Sequence, residues 1–287
     1  MAITVEDLLT KIRFRTKIPT GQISDALVLS TADDIIASKI LPDLVSQNQN
    51  YLKYTDSFTA TSSAYKYRFP KGAVGGGAVE ILRKDVTEYY NMPNYLDSDK
   101  SLTSSTCTTP GFILTAGGFE VWPRPPSSFT VEVNYLLKPG KLVKASETAV
   151  ITNVNQSLNT ISLASTPTAL LSSTQWDAMK TDGLCERTAV SLARGAGVAG
   201  TYLITGDISN VSIGDRVAVA GYSPFVQIPD EYIDYILDHL TMKMAQHTGD
   251  AELLKTAQNS AEDSKPKVAN ITSPRVKEEV VGVMIDW

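Results

Sequence analysis

Two histidines, two cysteines and a few adjacent carboxylates are where a search for chemistry in this 287-residue chain begins. His239 and His247 stand eight residues apart, about two helical turns. The four-residue separation of a His-Glu-x-x-His zinc site is missing, so a metal would need carboxylates brought from elsewhere. Both read as histidines on a helix surface. Cys107 and Cys185 match no zinc-knuckle spacing, and two cysteines cannot build a disulfide framework. They read as reduced thiols, and nothing near either one supports a thiol dyad with His239. No Gly-x-Ser-x-Gly elbow occurs. Asp33-Asp34, Asp97 with Asp99, and Glu278-Glu279 read as solvated faces and loops. A hydrolase whose two carboxylates meet only in the fold stays open as a minor reading. Gly72-Ala73-Val74-Gly75-Gly76-Gly77 lacks the Gly-Lys-Ser/Thr of a phosphate loop, and Val79 to Leu82 after it looks extended. The chain is therefore expected to be no enzyme, with no catalytic residue, metal ligand or cofactor site.

Bulk properties agree with a binding or structural role. The formal net charge is −5, the pI about 5.2, and hydrophobic residues make up 43% of the chain. Such a chain folds into one large or two ordinary domains with a real core. It carries no dominant basic patch of the kind that grips a nucleic-acid backbone. Tyr65 and Tyr67, interleaved with Lys66 and Arg68, loosely suggest a stacking platform, but an ordinary half-buried strand has the same pattern. The N-terminus lacks the basic and apolar regions of a signal peptide, and no run of 18 apolar residues predicts a membrane span.

The elements that would position these residues fall into an α+β arrangement. Residues 1–54 read as helical. Thr4 is placed to cap a helix with Glu6 and Asp7 in its first turn and Val5, Leu8, Leu9 and Ile12 on one face. A second helix is expected from near Ser30, with Asp33 as its capping-box partner, an Ile36, Ile40, Leu44 stripe, and a kink or split at Pro42. Residues 55–225 read as an inserted β domain, a small barrel or sandwich. Its signals include alternating Val131, Val133 and Tyr135, a hairpin at Gly117-Gly118, and Ile213-Gly214-Asp215 leading to Val217 and Val219. Residues 226–265 return to helix. Pro229 opens it, Ile233, Ile236, Leu237, Leu240 and Met244 form its stripe, Gly249 stops it, and Asp250 caps a last helix that closes at Lys265-Pro266. The two helical ends should pack together into one domain, because short helices need partners.

Residues 266–287 read as an extended C-terminal arm. Val280, Val281, Val283, Met284, Ile285 and Trp287 crowd its last eight positions, beyond any helix that would bury them. An exposed apolar cluster marks an interaction site, and alternating Val281, Val283 and Ile285 suit a strand added to a neighbour's sheet.

Three ordered stretches then carry a resemblance. They are Tyr67-Arg68-Phe69-Pro70 with Ala73-Val74-Gly75-Gly76, Tyr222-Ser223-Pro224-Phe225-Val226-Gln227-Ile228-Pro229-Asp230-Glu231, and Ala269-Asn270-Ile271-Thr272-Ser273-Pro274-Arg275-Val276. Together they resemble the head-to-tail adaptor, or connector ring, proteins of tailed bacteriophages. The stretch from about 91 to 110 lies outside the resemblance. What it implies is a virion structural protein, assembled in the host cytoplasm as a homo-oligomeric ring, commonly of twelve copies. Such a ring binds the portal protein, joins tail or further ring proteins, and lets DNA pass through its lumen without sequence-specific binding. Pro274, Arg275 and Val276, with the apolar end at Val281, Val283, Ile285 and Trp287, are the implied contacts with the portal or a neighbouring subunit. The competing reading is a carbohydrate- or surface-binding β module using Trp122 and Trp176 in the Ser/Thr-rich region.

Overall fold

Helix α1 (Val5–Thr16) starts where its cap was expected: Asp7 N–H donates to Thr4 Oγ1 at 3.1 Å, and Asp7 reaches back to the Thr4 backbone. That reciprocal pair satisfies two donors the first turn cannot use internally. The structure is a computed structural model. It describes residues 3–46, 53–69, 72–74, 80–85, 88–96, 109–180, 192–195, 200–205 and 208–272, with side chains as far as 262 apart from 192 and 193. The expected stripe Val5, Leu8, Leu9 and Ile12 is buried.

Helix α2 (Asp25–Ile35) begins five residues before Ser30, with Ser24 as its cap. Ser30 lies inside it and bonds to the Leu27 carbonyl instead. The nearer cap wins because Ser24 sits just before Asp25, whose acid suits the helix start. Asp33, expected as a capping partner, points to a different segment. A π turn (Ile36–Ile40) then leads into α3 (Leu41–Ser46), where Leu41 N–H reaches the Ile36 carbonyl five residues back. Pro42 lacks a donor and its ring presses on the preceding turn. The widened turn ahead of it is the form the expected kink takes.

The chain divides into two compact units, Asn50–Gly140 and Met1–Gln49 with Lys141–Trp287. In the first lie β1 (Lys53–Ala60), β2 (Lys66–Arg68), β3 (Glu80–Lys84), β4 (Tyr89–Asn91), β5 (Gly111–Thr115), β6 (Gly118–Trp122) and β7 (Phe129–Leu136). Two antiparallel sheets, in the orders β1-β7-β3-β4 and β2-β6-β5, share one core. Val131, Val133 and Tyr135 are fully buried in it, as their alternation requires. The β5–β6 hairpin turns at Ala116-Gly117, one residue before the expected pair. Gly118 opens β6 because a Cβ there would collide with the Tyr67 carbonyl.

In the other unit, β8 (Lys141–Leu142) and β15 (Tyr222–Ser223) form a short parallel pair. Between them come β9 (Ala149–Asn155), β10 (Thr160–Leu163), α4 (Thr168–Ser172), β11 (Gln175–Met179), β12 (Leu192–Arg194), β13 (Thr201–Thr205) and β14 (Arg216–Val219). Their order β9-β10-β13-β12-β11-β14 closes back on β9, a six-stranded antiparallel barrel. Ile151, Ile161, Leu170, Trp176, Ala178 and Val217 fill it.

The β region expected as one insertion over 55–225 is thus divided, since the barrel clusters with the helices. Met179 and Ala218 of the barrel pack with Phe225. Phe225 in turn bridges to Thr4, and Val5 N–H donates to the Pro224 carbonyl while Val226 N–H donates to Ile3. Contacts so far apart in sequence leave no local signal.

Helix α5 (Ile233–Thr248) follows one 3-10 turn at Asp230–Tyr232 and buries the expected stripe. Gly249 ends it with φ 73°, a left-handed conformation that favours glycine. Asp250 Oδ1 accepts from Leu253 N–H at 3.0 Å and starts α6 (Ala251–Thr272). Both α1 and α2 contact α5. Helix α6 runs through Lys265-Pro266, where the sequence suggested an end, so residues 266–272 are helical and not an arm. A proline removes one backbone donor; the bonds on either side carry the helix past it.

Candidate functional site

A polar seam joins the chain ends. Arg15 donates from Nη1 to Asp238 Oδ1 and from Nη2 to Asp234 Oδ1, both at 2.8 Å, and Ser260 Oγ donates to Asp238 Oδ1 at 2.9 Å. Helices α1, α5 and α6 thereby meet on one buried carboxylate, and a buried charge is tolerated only when so paired. Nearby, Arg13 donates to the carbonyls of Ile18 and Ile23 and to Asp25 Oδ1, closing the loop into α2. The Lys144 ammonium and the Arg13 guanidinium hold the Asp25 carboxyl below the usual carboxylate range. The carboxylates of this seam each accept from an arginine, a lysine or a serine, an arrangement that fastens helices to one another.

The two histidines sit in different settings on α5. His239 packs edge-on against Tyr235, with ring centroids 4.4 Å apart, and lies 3.3 Å from Lys39 Nζ. His247 is in the last turn of α5. Among the described residues no group of three or more His, Cys, Asp or Glu side chains is placed to hold a metal ion. Cys107 and Cys185, Asp97 and Asp99, Glu278 and Glu279, and Gly75 to Gly77 of the glycine run lie outside the described residues.

The surface-binding residues fare unevenly. Trp176 is wholly buried in the barrel: its ring stands edge-on to Tyr202 at 5.1 Å and its Nε1 donates to the Leu170 carbonyl at 3.1 Å. It cannot stack on a sugar, which corrects the expectation that it lay on a binding face; a lone tryptophan in a Ser/Thr-rich segment does not say which way its strand faces. Trp122 is half-buried. Tyr67 turns inward to the aromatic core and donates to Asp56 Oδ2 at 2.6 Å, and burial together with that bond raises its pKa. Tyr65 is likewise half-buried against that core, with the Arg124 guanidinium 4.6 Å from its ring centre.

One surface feature was not anticipated. Tyr89 and Tyr90 on β4 are both about half exposed, with the Lys84 ammonium 5.2 Å from the Tyr89 ring centre and Tyr90 bonded to Glu88. Neighbours that are both exposed break the period of two, so a search for alternation passes over them. Charge is also unevenly shared: residues 50–140 hold nine basic and eight acidic side chains, the rest 17 and 23. The acidity of the chain therefore belongs to the unit with the barrel and the helices.

The proposed partner contacts Pro274, Arg275, Val276, Val281, Val283, Ile285 and Trp287 lie outside the described residues. Helix α6, the last described element, has 22 residues and so rises about 33 Å before residue 273. Among the described residues no helix is long and apolar enough to cross a membrane. The sequence matches no known protein family and no curated protein.

Proposed function

We propose that the chain is a virion structural protein, a head-to-tail adaptor of a tailed bacteriophage. In this reading it forms a closed ring, commonly of twelve copies, that binds the portal, joins tail or further ring proteins, and forms part of the DNA channel. The observation that carries the reading is the ordered resemblance of three stretches spread across the chain. Contact of the N-terminal helices with α5, with a β unit inserted between the chain ends, supports it. Residues 273–287 supply the portal or neighbour contact, and their apolar side chains are covered on assembly. A ring of heterologous contacts makes each weak interface strong by closure. The acidic unit keeps the passing genome from sticking.

Cross-linking mass spectrometry of portal-containing particles tests this reading. The expected result is cross-links between the portal and this chain that disappear when residues 273–287 are deleted, while the shortened chain keeps its circular dichroism. Absence of the chain from particles overturns the proposal. The surface-binding alternative has lost Trp176 as a contact and rests on Trp122 alone.

A further inference from the structure

Most strand edges among the described residues are short or already taken. The barrel closes on itself. Along residues 142–145, acids of α1 and α2 fill the side that a strand would take. Leu142 N–H donates to Asp33 Oδ1 at 2.9 Å, Ala145 N–H to Glu6 Oε1 at 2.6 Å, and Lys144 Nζ to Asp25 Oδ2 at 2.7 Å. β5 is flanked by residues 93–95: Phe112 N–H donates to the Pro93 carbonyl and Tyr95 N–H to Phe112. β2 and β4 have three residues each. That leaves β1, eight residues long, with β7 on one side and no strand among the described residues on the other.

The alternation of the ladder fixes where the amides of β1 point. Asp85 and Glu88 exchange backbone bonds, and Met92 N–H donates to the Ile81 carbonyl. Odd residues of β3 therefore bond to β4 and even ones to β7. Thr130, Glu132 and Asn134 are thus spent on β3, and Val131, Val133 and Tyr135 bond to Phe58, Asp56 and Tyr54. The backbone groups of Lys53, Thr55, Ser57 and Thr59 are left pointing to the open side. Ser57 N–H agrees: it donates to Asp56 Oδ1 at 2.8 Å, while Asp56 Oδ2 accepts from Tyr67 at 2.6 Å. An acid that caps one amide in mid-edge discourages casual pairing. The amides of Thr55 and Thr59, on either side of it, have no partner among the described residues.

We infer that this edge receives residues 280–286 of a second copy of the chain as an added antiparallel strand. The inference rests on the reading above only in taking another copy as the neighbour of residues 273–287. The eight positions from Val280 match the eight of β1, and their Val and Ile residues favour a strand. Residues 273–279 separate them from α6 and span up to about 24 Å, enough to reach away from their own subunit. In one register Val281 and Ile285 stand opposite Phe58 and Tyr54, aromatic side chains only partly buried against their core. The same register sets Asp286 opposite Lys53, an acid facing a base. Gly282 then faces Ser57, whose amide exchanges the Asp56 carboxylate for the Gly282 carbonyl, and Asp56 keeps Tyr67. Main-chain bonds supply the affinity and the alternate side chains the register.

The test uses the full-length chain, mixed from two isotope-labelled populations and carrying a photoreactive residue in place of Ile285. Mass spectrometry should find residue 285 of one population joined to residues 53–56 of the other. Hydrogen exchange at Thr55 and Thr59 should slow about tenfold between dilute and assembled chain. Thr55→Pro removes an outward amide and leaves the bonds to β7, so it should abolish the links without changing circular dichroism. Met284→Pro removes the matching amide from the added strand and should do the same without touching the fold. Lys53→Glu and Asp286→Lys should each weaken association roughly threefold, and the two together should restore it. Links confined to one isotope, links that avoid β1, or an unchanged exchange rate at Thr55 and Thr59 overturn the inference. Portal cross-links from residue 285 in particles, with none to β1, overturn it while the adaptor reading stands. Copies joined at β1 by a chain that is absent from particles support it while the adaptor reading falls.

Discussion

The core of residues 50–140 and the barrel of β9 to β14 solve one packing problem with different side chains. The first is aromatic. Phe119 lies at its centre, with the rings of Phe58, Tyr67, Phe69 and Phe112 all within 6 Å of it, centre to centre. The second is mostly aliphatic, and Trp176 and Tyr202 are the rings inside it. Geometry accounts for the contrast. Two sheets packed face to face leave a gap of about 10 Å that large rings fill well. A barrel of six strands has a narrow interior, which Val, Ile, Leu and Ala fill with fewer strained rotamers. The edges differ too. The barrel's strands satisfy one another all the way round, whereas β1 and β4 end their sheet. Five of the seven phenylalanines and eight of the twelve tyrosines fall in residues 50–140, so composition alone already sets that unit apart.

If the two cores are independent, damage to one should leave the other standing. The largest effect is expected from Trp176→Ala, which empties the barrel centre and removes one of the donors to the Leu170 carbonyl, at about 4 kcal/mol. Denaturant unfolding followed by near-ultraviolet circular dichroism should then show the barrel unit melting early while the aromatic unit keeps its midpoint. A single transition that shifts as a whole would merge the two into one cooperative block. Next comes Phe119→Leu, which keeps most of the volume and removes four ring contacts, at about 2 kcal/mol. Its effect should fall on the aromatic unit alone, and an equal shift in the barrel unit would again dissolve the distinction. Smallest is Tyr67→Phe, which loses the bond to Asp56 inside the aromatic unit and should lower that unit's stability by about 1 kcal/mol. No change would mean that water replaces the phenol at Asp56.

Much of the helical part was legible in the sequence because its causes are local. Thr4 with Asp7, the stripes on α1 and α5, Gly249 and Asp250 act through neighbours at most four residues away. The same is true of Val131, Val133 and Tyr135, whose period of two needs no partner to be read. Ser30 failed as a helix start because Ser24 offered the same chemistry earlier. Asp33 failed as a capping residue because its partner, Leu142, lies 109 positions away. Trp176 failed as a surface residue because barrel closure, and not its own strand, decides what is inside.

For the candidate site the division is the same. From the residues alone came the lack of a catalytic motif, the apolar cluster at the C-terminal end and the ordered resemblance. Tertiary structure alone brought Arg15 to Asp234 and Asp238, divided the β region between two units, and set three carboxylates along residues 142–145. The physical reason is the range of the forces that act. Caps, turns and periodic stripes depend on bonds within a turn or two and are written in adjacent residues. Ion pairs, barrel closure and desolvation depend on which distant segments the collapsed chain brings together, and no spacing in the sequence records that.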